Sequence, residues 1–150
     1  MSGGAEAREQ ALAERVVAGM MAADAFSRWL GVEVVEVRPR GATTRMTVRA
    51  EMVNGFGLCH GGIAFSLADS ALAFASNTHG KVTVSIENAI TYPAPVHVGD
   101  VLTARAEEES STERLAFYRV TVEDQKGATV ALFRGTVYRT RRPHFPDETG

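Results

Sequence analysis

The chain has 150 residues, of which 45% are hydrophobic and 23% are charged, and its formal net charge is −2. This length fits one domain with a single sizeable core, and the composition is that of an ordinary globular protein rather than of a disordered chain. The slight negative charge gives no sign of the basic surface that nucleic acids require, so nucleic acid is not an expected partner.

Cysteine content and hydropathy indicate a reducing, aqueous compartment. Cys59 is the single cysteine, which excludes an internal disulfide. The N-terminus is polar and acidic, unlike a signal peptide. The longest apolar stretch, residues 61–76, is interrupted by Asp69 and is shorter than the ~20 residues that span a bilayer. We therefore expect a cytoplasmic protein with no membrane partner.

Two helices are predicted at the N-terminal end. Residues 5–22 are rich in Ala and Glu, and their apolar residues recur at helical spacing. A short second helix follows Asp24, a suitable N-cap residue, and ends at Gly31. We assign residues 1–24 to an N-terminal helix outside the main domain.

From residue 32 onward the apolar period changes from about 3.6 to 2, which predicts β-strands. Residues 42–50 alternate cleanly, which indicates a strand with one solvated face. Short connections between the later strands predict an antiparallel meander. The predicted strands cover residues 32–37, 42–50, 81–92, 102–106, 115–122 and 128–139.

One long helical run separates the second predicted strand from the third. Residues 63–78 contain a single charged residue, Asp69. A helix that is apolar on nearly all sides is buried on most of them, so the sheet should wrap around it. The predicted domain, residues 25–140, is therefore α+β, with a five- to six-stranded antiparallel sheet around a long central helix. Residues 141–150 lack periodicity and are predicted to form a flexible tail.

Asp69 is the first candidate for chemistry. The residues three and four positions away on the helix are not basic, so no local ion pair is available. Burial in an apolar setting raises the pKa of a carboxyl group towards the range that suits a general base. Two purely structural roles stay open for the same residue. Asp69 either belongs to a capping box that begins at Ser66, or it reaches solvent or a subunit interface.

The glycine-rich loop before the long helix is the second candidate. Gly61 and Gly62 let a ligand approach helix N-terminal N–H groups, which stabilise an oxyanion, but a plain turn uses the same residues. Asn54 is either a turn residue or an amide that orients water or a carbonyl group. Cys59 and His60 are adjacent in the sequence, and adjacent side chains usually diverge, so we reject a thiol nucleophile paired with this histidine. The four histidines lack metal-ligand spacing, so we also reject a metal site. His60 is expected to cap the helix or to contact ligand.

Two further sets of residues are candidates for ligand contacts. A basic set either meets the phosphates of a nucleotide-like carrier or forms a solvated edge: Arg134, Arg139, Arg141 and Arg142. An apolar set either lines a pocket for an aromatic or aliphatic group or belongs to the core: Phe56, Leu58, Phe65, Phe74 and Tyr92.

Together, these residues resemble the hot-dog-fold thioesterases, in particular the phenylacetate-degradation (PaaI-type) acyl-CoA thioesterases. The resemblance covers residues 26–140 and rests on three segments, NGFGLCHGGIAFSLADSALAFASNTHG, ITYPAPVHVGDVLTA and ATVALFRGTVYR. It implies hydrolysis of an acyl-CoA, with an aryl-acetyl acyl group, to free acid and CoA without any cofactor. It also implies a homodimer with a continuous sheet, often paired again into a homotetramer.

The resemblance also implies roles for individual residues. Asp69 matches the catalytic carboxylate, and Gly61 matches the oxyanion-hole N–H. Asn54 matches the amide that positions water or the thioester, and His60 matches the histidine of the HGG motif. Ser85 falls where some relatives have an assisting serine. The residues assigned weaker substrate-binding roles are Gly62, Ser85, Phe56 and Arg134.

Helix geometry limits how Gly61 and Asp69 can act together. At a rise of ~1.5 Å per residue they lie about 12 Å apart along one helix, so one thioester carbon cannot react at both. We therefore predict sites shared across a two-fold interface, where Asp69 of one subunit faces Asn54 and Gly61 of the other. Asp69 then activates a water or attacks directly to form an anhydride, and the sequence does not choose between these routes.

Two other functions stay open. One is a hot-dog module that binds or senses acyl-CoA without turnover, because fold does not fix function. The other is a hot-dog hydratase or dehydratase, in which a histidine works with a carboxylate. Hydrolysis is favoured over pure binding because a buried carboxylate has no evident purpose in a binding module.

Overall fold

The computed structural model of the protein describes residues 2–146. The helices are α1 (Ser2–Ala23), α2 (Ala25–Leu30) and α3 (Gly61–Asn77), and a short 3-10 helix covers Ala50–Met52. The strands are β1 (Glu33–Arg38), β2 (Gly41–Thr47), β3 (Lys81–Thr91), β4 (Val101–Ser111), β5 (Leu115–Glu123) and β6 (Thr129–Pro143).

The strands form one antiparallel sheet in the order β1-β2-β4-β5-β6-β3. Helix α3 contacts all six of them, so the sheet surrounds the central helix as the sequence predicts. The predicted α+β fold is confirmed. The edge strand β1 also contacts α1, whereas β3, at the other edge, pairs only with β6 among residues 2–146.

The core lies between α3 and the inner face of the sheet. Leu67, Leu72 and Phe74 on α3 are almost completely buried. Phe65, on the same helix, packs edge-on against Phe133 of β6, with 5.3 Å between the ring centroids. Burial of each large apolar side chain contributes about 1.5–3 kcal/mol, which holds α3 firmly in place. Of the proposed pocket residues, Phe74 is therefore part of the core, and Phe65 is partly buried and packs against it.

The C-terminal end of α3 is tied to β3 by the side chain of Asn77. Its amide nitrogen donates to the carbonyl oxygens of Ala73 and Thr83, at 2.7 and 3.0 Å, and its oxygen accepts from the Thr83 N–H at 2.8 Å. The two bonds to Thr83 join the helix end to the backbone of β3. They fix the start of β3 relative to the helix.

The C-terminal segment is more ordered than its sequence indicates. Strand β6 continues to Pro143, which pairs with Lys81 at the start of β3. The His144 N–H then donates to the Gly80 carbonyl oxygen at 2.8 Å. Residues 141–143 thus belong to the sheet, so the last strand continues past residue 140, where the predicted domain ends. Residues 147–150 of the predicted tail lie outside the described residues.

Strand β2 also differs from its prediction. It ends at Thr47, and the following residues turn into the 3-10 helix instead of continuing the strand to residue 50. Thr43 and Thr44 are both buried although they face opposite sides of the sheet. The alternating sequence indicates a solvated face, which the first half of this strand does not have.

No helix among residues 2–146 has the length and hydropathy needed to cross a bilayer.

Candidate functional site

His60 forms the N-cap of α3 and thereby leaves one backbone donor free. Its Nδ1 atom accepts a hydrogen bond from the Gly62 N–H at 2.9 Å. Within residues 2–146, the N–H of Gly61 has no acceptor. The predicted capping role of His60 is confirmed. The free Gly61 N–H, at the positive end of the helix dipole, can receive a carbonyl oxygen that gains negative charge.

Asn54 organises the loop that precedes the helix. Its side-chain oxygen accepts from the N–H groups of Phe56 and Leu58, at 2.9 and 3.2 Å, and its own N–H donates to the Leu58 carbonyl oxygen at 2.7 Å. The turn interpretation is therefore correct. The two amide hydrogens of the side chain make no hydrogen bond within the described part of the chain, so they can also serve a ligand.

A cleft of about 180 Å³ brings together the predicted site residues that lie at the N-terminal end of α3. Its walls include Asn54, His60 and Gly61, together with Tyr92, which follows β3. The Tyr92 hydroxyl donates to the Gly61 carbonyl oxygen at 2.8 Å. The remaining residues around the cleft are Leu58, Cys59, Ala64, Ala94, Pro95 and Val96. The free N–H of Gly61 thus lies beside a small and largely apolar space.

Gly61 packs closely against the ring of Tyr92. A Cβ atom there would lie 3.0 Å from Cζ and 3.1 Å from the hydroxyl oxygen of Tyr92. Such contacts are tighter than most Cβ atoms make, so a larger residue would require the Tyr92 ring to shift by a few tenths of an ångström. The sequence predicts Tyr92 as a pocket or core residue; it does line the cleft, and its hydroxyl also holds the start of α3.

Asp69 lies further along α3, away from this cleft. Its side chain is half-buried, and its carboxylate accepts a hydrogen bond from the Asn88 amide nitrogen on β3, 3.3 Å away. Burial raises the pKa of the Asp69 carboxyl group, the Asn88 hydrogen bond opposes that rise, and the nearby Asp24 adds to it. The direction of the shift is the one that the sequence predicts, and it suits a general base.

The capping-box interpretation of Asp69 is wrong. Helix α3 begins at Gly61, so Ser66 lies inside the helix rather than at its start. The Ser66 hydroxyl donates instead to the Gly62 carbonyl oxygen at 2.7 Å.

Asn88 is a site residue that sequence reasoning missed. It is in turn held by Ser85, whose hydroxyl donates to the Asn88 side-chain oxygen at 2.8 Å. A β-bulge between Ser85 and Glu87 makes this contact possible, because residues three apart on a regular strand face opposite sides. The available signal was that Asn88 interrupts the apolar alternation of its strand.

Gly135 on β6 provides the space in which Asn88 meets the helix. Gly135 pairs with Asn88 in the sheet. A Cβ atom at Gly135 would lie 2.5 Å from a methyl carbon of Leu72 on α3 and 2.9 Å from the Asn88 side-chain oxygen. A residue with a Cβ atom would have to displace the Leu72 methyl group and the Asn88 side chain, so glycine suits this position beside Asp69.

A second set of polar side chains links α2 to α3 next to Asp69. Asp24 accepts from the N–H and the hydroxyl of Ser27, at 2.8 and 2.6 Å. The Ser27 hydroxyl lies 2.8 Å from that of Ser70, the residue next to Asp69. These contacts join residues that are 43 positions apart, so no local pattern in the sequence indicates them.

The other predicted ligand residues lie apart from the Gly61 cleft and from the surroundings of Asp69. Arg134 is exposed and neighbours Phe133, which faces the core, so it lies on the face of the sheet opposite α3. Arg139 contacts His79, with 3.0 Å between its Nε atom and the imidazole Nε2 atom. Phe56 is 90% exposed at the tip of the Asn54 loop. Among residues 2–146, no group of three or more His, Cys, Asp or Glu side chains is placed to hold a metal ion.

Comparison with known proteins identifies the class to which this fold and site belong. The family model of the Thioesterase superfamily matches residues 56–131. An acyl-coenzyme A thioesterase of Escherichia coli, PaaI, is 39% identical over 77% of this chain and 83% of its own length. A protein of Archaeoglobus fulgidus described as a putative esterase is 37% identical over 93% of this chain and 91% of its own length.

Solved structures agree with the sequence comparison. The structure of the E. coli PaaI protein from the phenylacetic acid degradation operon superposes with a TM-score of 0.87 at 35% identity. The match covers 89% of this chain and 97% of that protein. The chain belongs to the thioesterase superfamily, and the predicted hot-dog thioesterase fold is confirmed.

Proposed function

We propose that the protein hydrolyses acyl-CoA thioesters to free acid and CoA, with an aryl-acetyl group as the preferred acyl part. One observation carries this proposal. The free N–H of Gly61 and the half-buried carboxylate of Asp69 lie on one helix, at the positions where the family resemblance requires an oxyanion donor and a base. The acyl-CoA and aryl-acetyl assignments are supported by the name and operon of the E. coli relative.

The proposed mechanism begins with the thioester carbonyl oxygen on the Gly61 N–H. The helix dipole and this donor stabilise the negative charge that develops on the oxygen. The free amide hydrogens of Asn54 orient the thioester or the attacking water. Asp69 then removes a proton from that water, or attacks the carbonyl carbon itself to form an anhydride that water hydrolyses. Either route expels the CoA thiolate and needs neither metal nor cofactor.

The proposed site is assembled from two subunits. Gly61 and Asp69 are about 12 Å apart along α3, too far for one reacting carbon. The edge strand β3 exposes 47% of Val84 and 57% of Ile86, and exposed apolar residues on an unpaired edge are the kind of surface that a second copy covers. We therefore propose a homodimer paired along β3, a homotetramer built from two such dimers, and a cytoplasmic location.

The decisive experiment is a thiol-release assay with phenylacetyl-, hydroxyphenylacetyl-, benzoyl- and straight-chain acyl-CoAs. We expect release of CoA, fastest with an aryl-acetyl group. Tight binding without release would instead support an acyl-CoA-sensing module. Water addition to an enoyl-CoA without thiol release would support a hydratase.

A further inference from the structure

We propose that Asn88 is a positioning residue for the catalytic carboxylate of Asp69, and that Ser85 fixes the Asn88 amide in the orientation this role requires. The inference rests on the proposed thioesterase function and assigns to Asn88 a part in it. The chain of contacts runs from the Ser85 hydroxyl to the Asn88 oxygen, 2.8 Å, and from the Asn88 nitrogen to Asp69, 3.3 Å.

Hydrogen-bond chemistry fixes the direction of this chain. An ionised carboxylate can only accept hydrogen bonds, so the NH₂ end of the Asn88 amide must face Asp69. The amide oxygen then points away from Asp69, and it needs a donor. The Ser85 hydroxyl supplies one, so it cannot at the same time donate that hydrogen to Asp69 or to a substrate water. In this protein the serine therefore acts through Asn88.

The backbone holds the three side chains in register. Ser85 pairs with Val137 and Asn88 pairs with Gly135, two residues apart on β6, so the bulge turns both polar side chains to the face that α3 covers. Gly135 lets Asn88 lie against the helix, since any larger residue would displace its side-chain oxygen. Leu72 closes the other side of the same space. The Asn88 amide consequently has little freedom to turn away from Asp69.

The hydrogen bond also favours the charged form that the base needs. Burial and the negative charge of Asp24, at the start of α2, both raise the pKa of Asp69, and the Asn88 bond is what lowers it. Asp24 is the charged group that acts on Asp69 within residues 2–146. Without the Asn88 donor, the carboxyl group would stay protonated to a higher pH, and one fixed point of its orientation would be lost.

The test measures the pH profile of kcat/KM for the full-length protein and for Asn88→Ala, Asn88→Asp and Ser85→Ala. Activity requires the ionised base, so it rises with pH through the pKa of Asp69. We expect the acid limb to move to higher pH in Asn88→Ala, and further in Asn88→Asp, where a second carboxylate faces the first. On that limb kcat/KM should fall roughly 10- to 100-fold in Asn88→Ala, the usual effect of a lost hydrogen bond to a charged group. Ser85→Ala should shift the limb in the same direction by less.

Asn88→Asp has nearly the same shape as the native residue, so it tests the inference even if Asn88→Ala folds poorly. Ser111→Ala is the matched control, because Ser111 is an exposed serine at the end of β4. It should leave the profile unchanged. A merely structural role for Asn88 would lower activity equally at all pH values and leave the limb in place.

A second readout does not depend on turnover. The carboxyl carbon of Asp69, identified in ¹³C spectra by its loss in Asp69→Asn, should titrate at higher pH in Asn88→Ala than in the native protein. Absence of thioester hydrolysis by the native protein would contradict the proposed function. Hydrolysis by the native protein, with unchanged acid limb and unchanged carboxyl titration in both Asn88 variants, would overturn this inference alone.

Discussion

Gly61 and Asp69 stand about 12 Å apart on α3, and each is held by a different part of the same strand region. The Gly61 carbonyl oxygen accepts from Tyr92, just beyond the end of β3, and the Asp69 carboxylate accepts from Asn88 within it. Strand β3 and the residue that follows it thus position both candidate groups, which lie too far apart to act on one reacting carbon. This arrangement is the reason to test whether the two groups act from different subunits.

Subunit mixing provides that test. Asp69→Ala removes the base, and Gly61→Pro removes the oxyanion donor at a helix position where proline is tolerated. Equal mixing with full exchange should restore about a quarter of native activity, since half of the dimers are mixed and one of the two sites in each is intact. Each variant alone should be inactive and show a native circular-dichroism spectrum. A mixture that exchanges subunits but stays inactive would refute the shared site.

Replacement of Asp69 by asparagine should separate chemistry from binding. Asp69→Asn keeps the shape of the side chain but removes the base, so we expect kcat to fall by about 10²–10⁴-fold. Acyl-CoA binding, measured by calorimetry, should persist because the Gly61 cleft is unchanged. Glu113→Gln makes the same chemical change at a side chain that is 87% exposed and serves as the control. Normal turnover by Asp69→Asn would exclude Asp69 as the catalytic residue.

The exposed edge of the sheet should carry the dimer interface. Ile86→Lys places a charge on β3, whose outer edge has no partner strand among residues 2–146, and charged side chains there oppose edge-to-edge pairing. We expect a lower molar mass in light scattering and a loss of activity in proportion to the monomer formed. Val35→Lys, at a valine of β1 that is 50% exposed on the opposite edge, should leave the mass unchanged. An Ile86→Lys protein with native mass would show that β3 is not the interface.

The close packing at Gly135 predicts that a larger residue there destabilises the fold, and a glycine in α1 provides a control with the opposite effect. Gly135→Ala should destabilise the fold by about 1–3 kcal/mol, because the added methyl group overlaps Leu72 and must displace it. Gly19→Ala, in α1, adds the same methyl group where no atom lies within 4 Å. It should stabilise the helix by about 0.5–1 kcal/mol. Urea denaturation measures both, and equal stability of Gly135→Ala and the native protein would contradict the packing described.

The fold and one half of the candidate site could be predicted because their signals are local. Apolar periodicity indicates the long helix and the strands, and the Gly61 segment indicates the helix start and its His60 cap. Asn88 escaped prediction because a β-bulge, set by pairing with β6, reverses the face on which it lies. The contacts that link Asp24 to α3 through Ser27 and Ser70 were not predicted, because these residues meet only after folding. The extended end of β6 also depends on a partner strand rather than on its own sequence.

The bulge between Ser85 and Glu87 affects how residue roles transfer among relatives. A relative without the extra residue would turn one of the two polar positions to the opposite face, even where the letters match in an ungapped alignment. Positions before the bulge should therefore be aligned from Asn77, which anchors the start of the strand, and positions after it from Tyr92. Residues of this strand are therefore equivalent in two relatives when their side chains lie on the same face of the sheet, even where their positions counted along the strand differ.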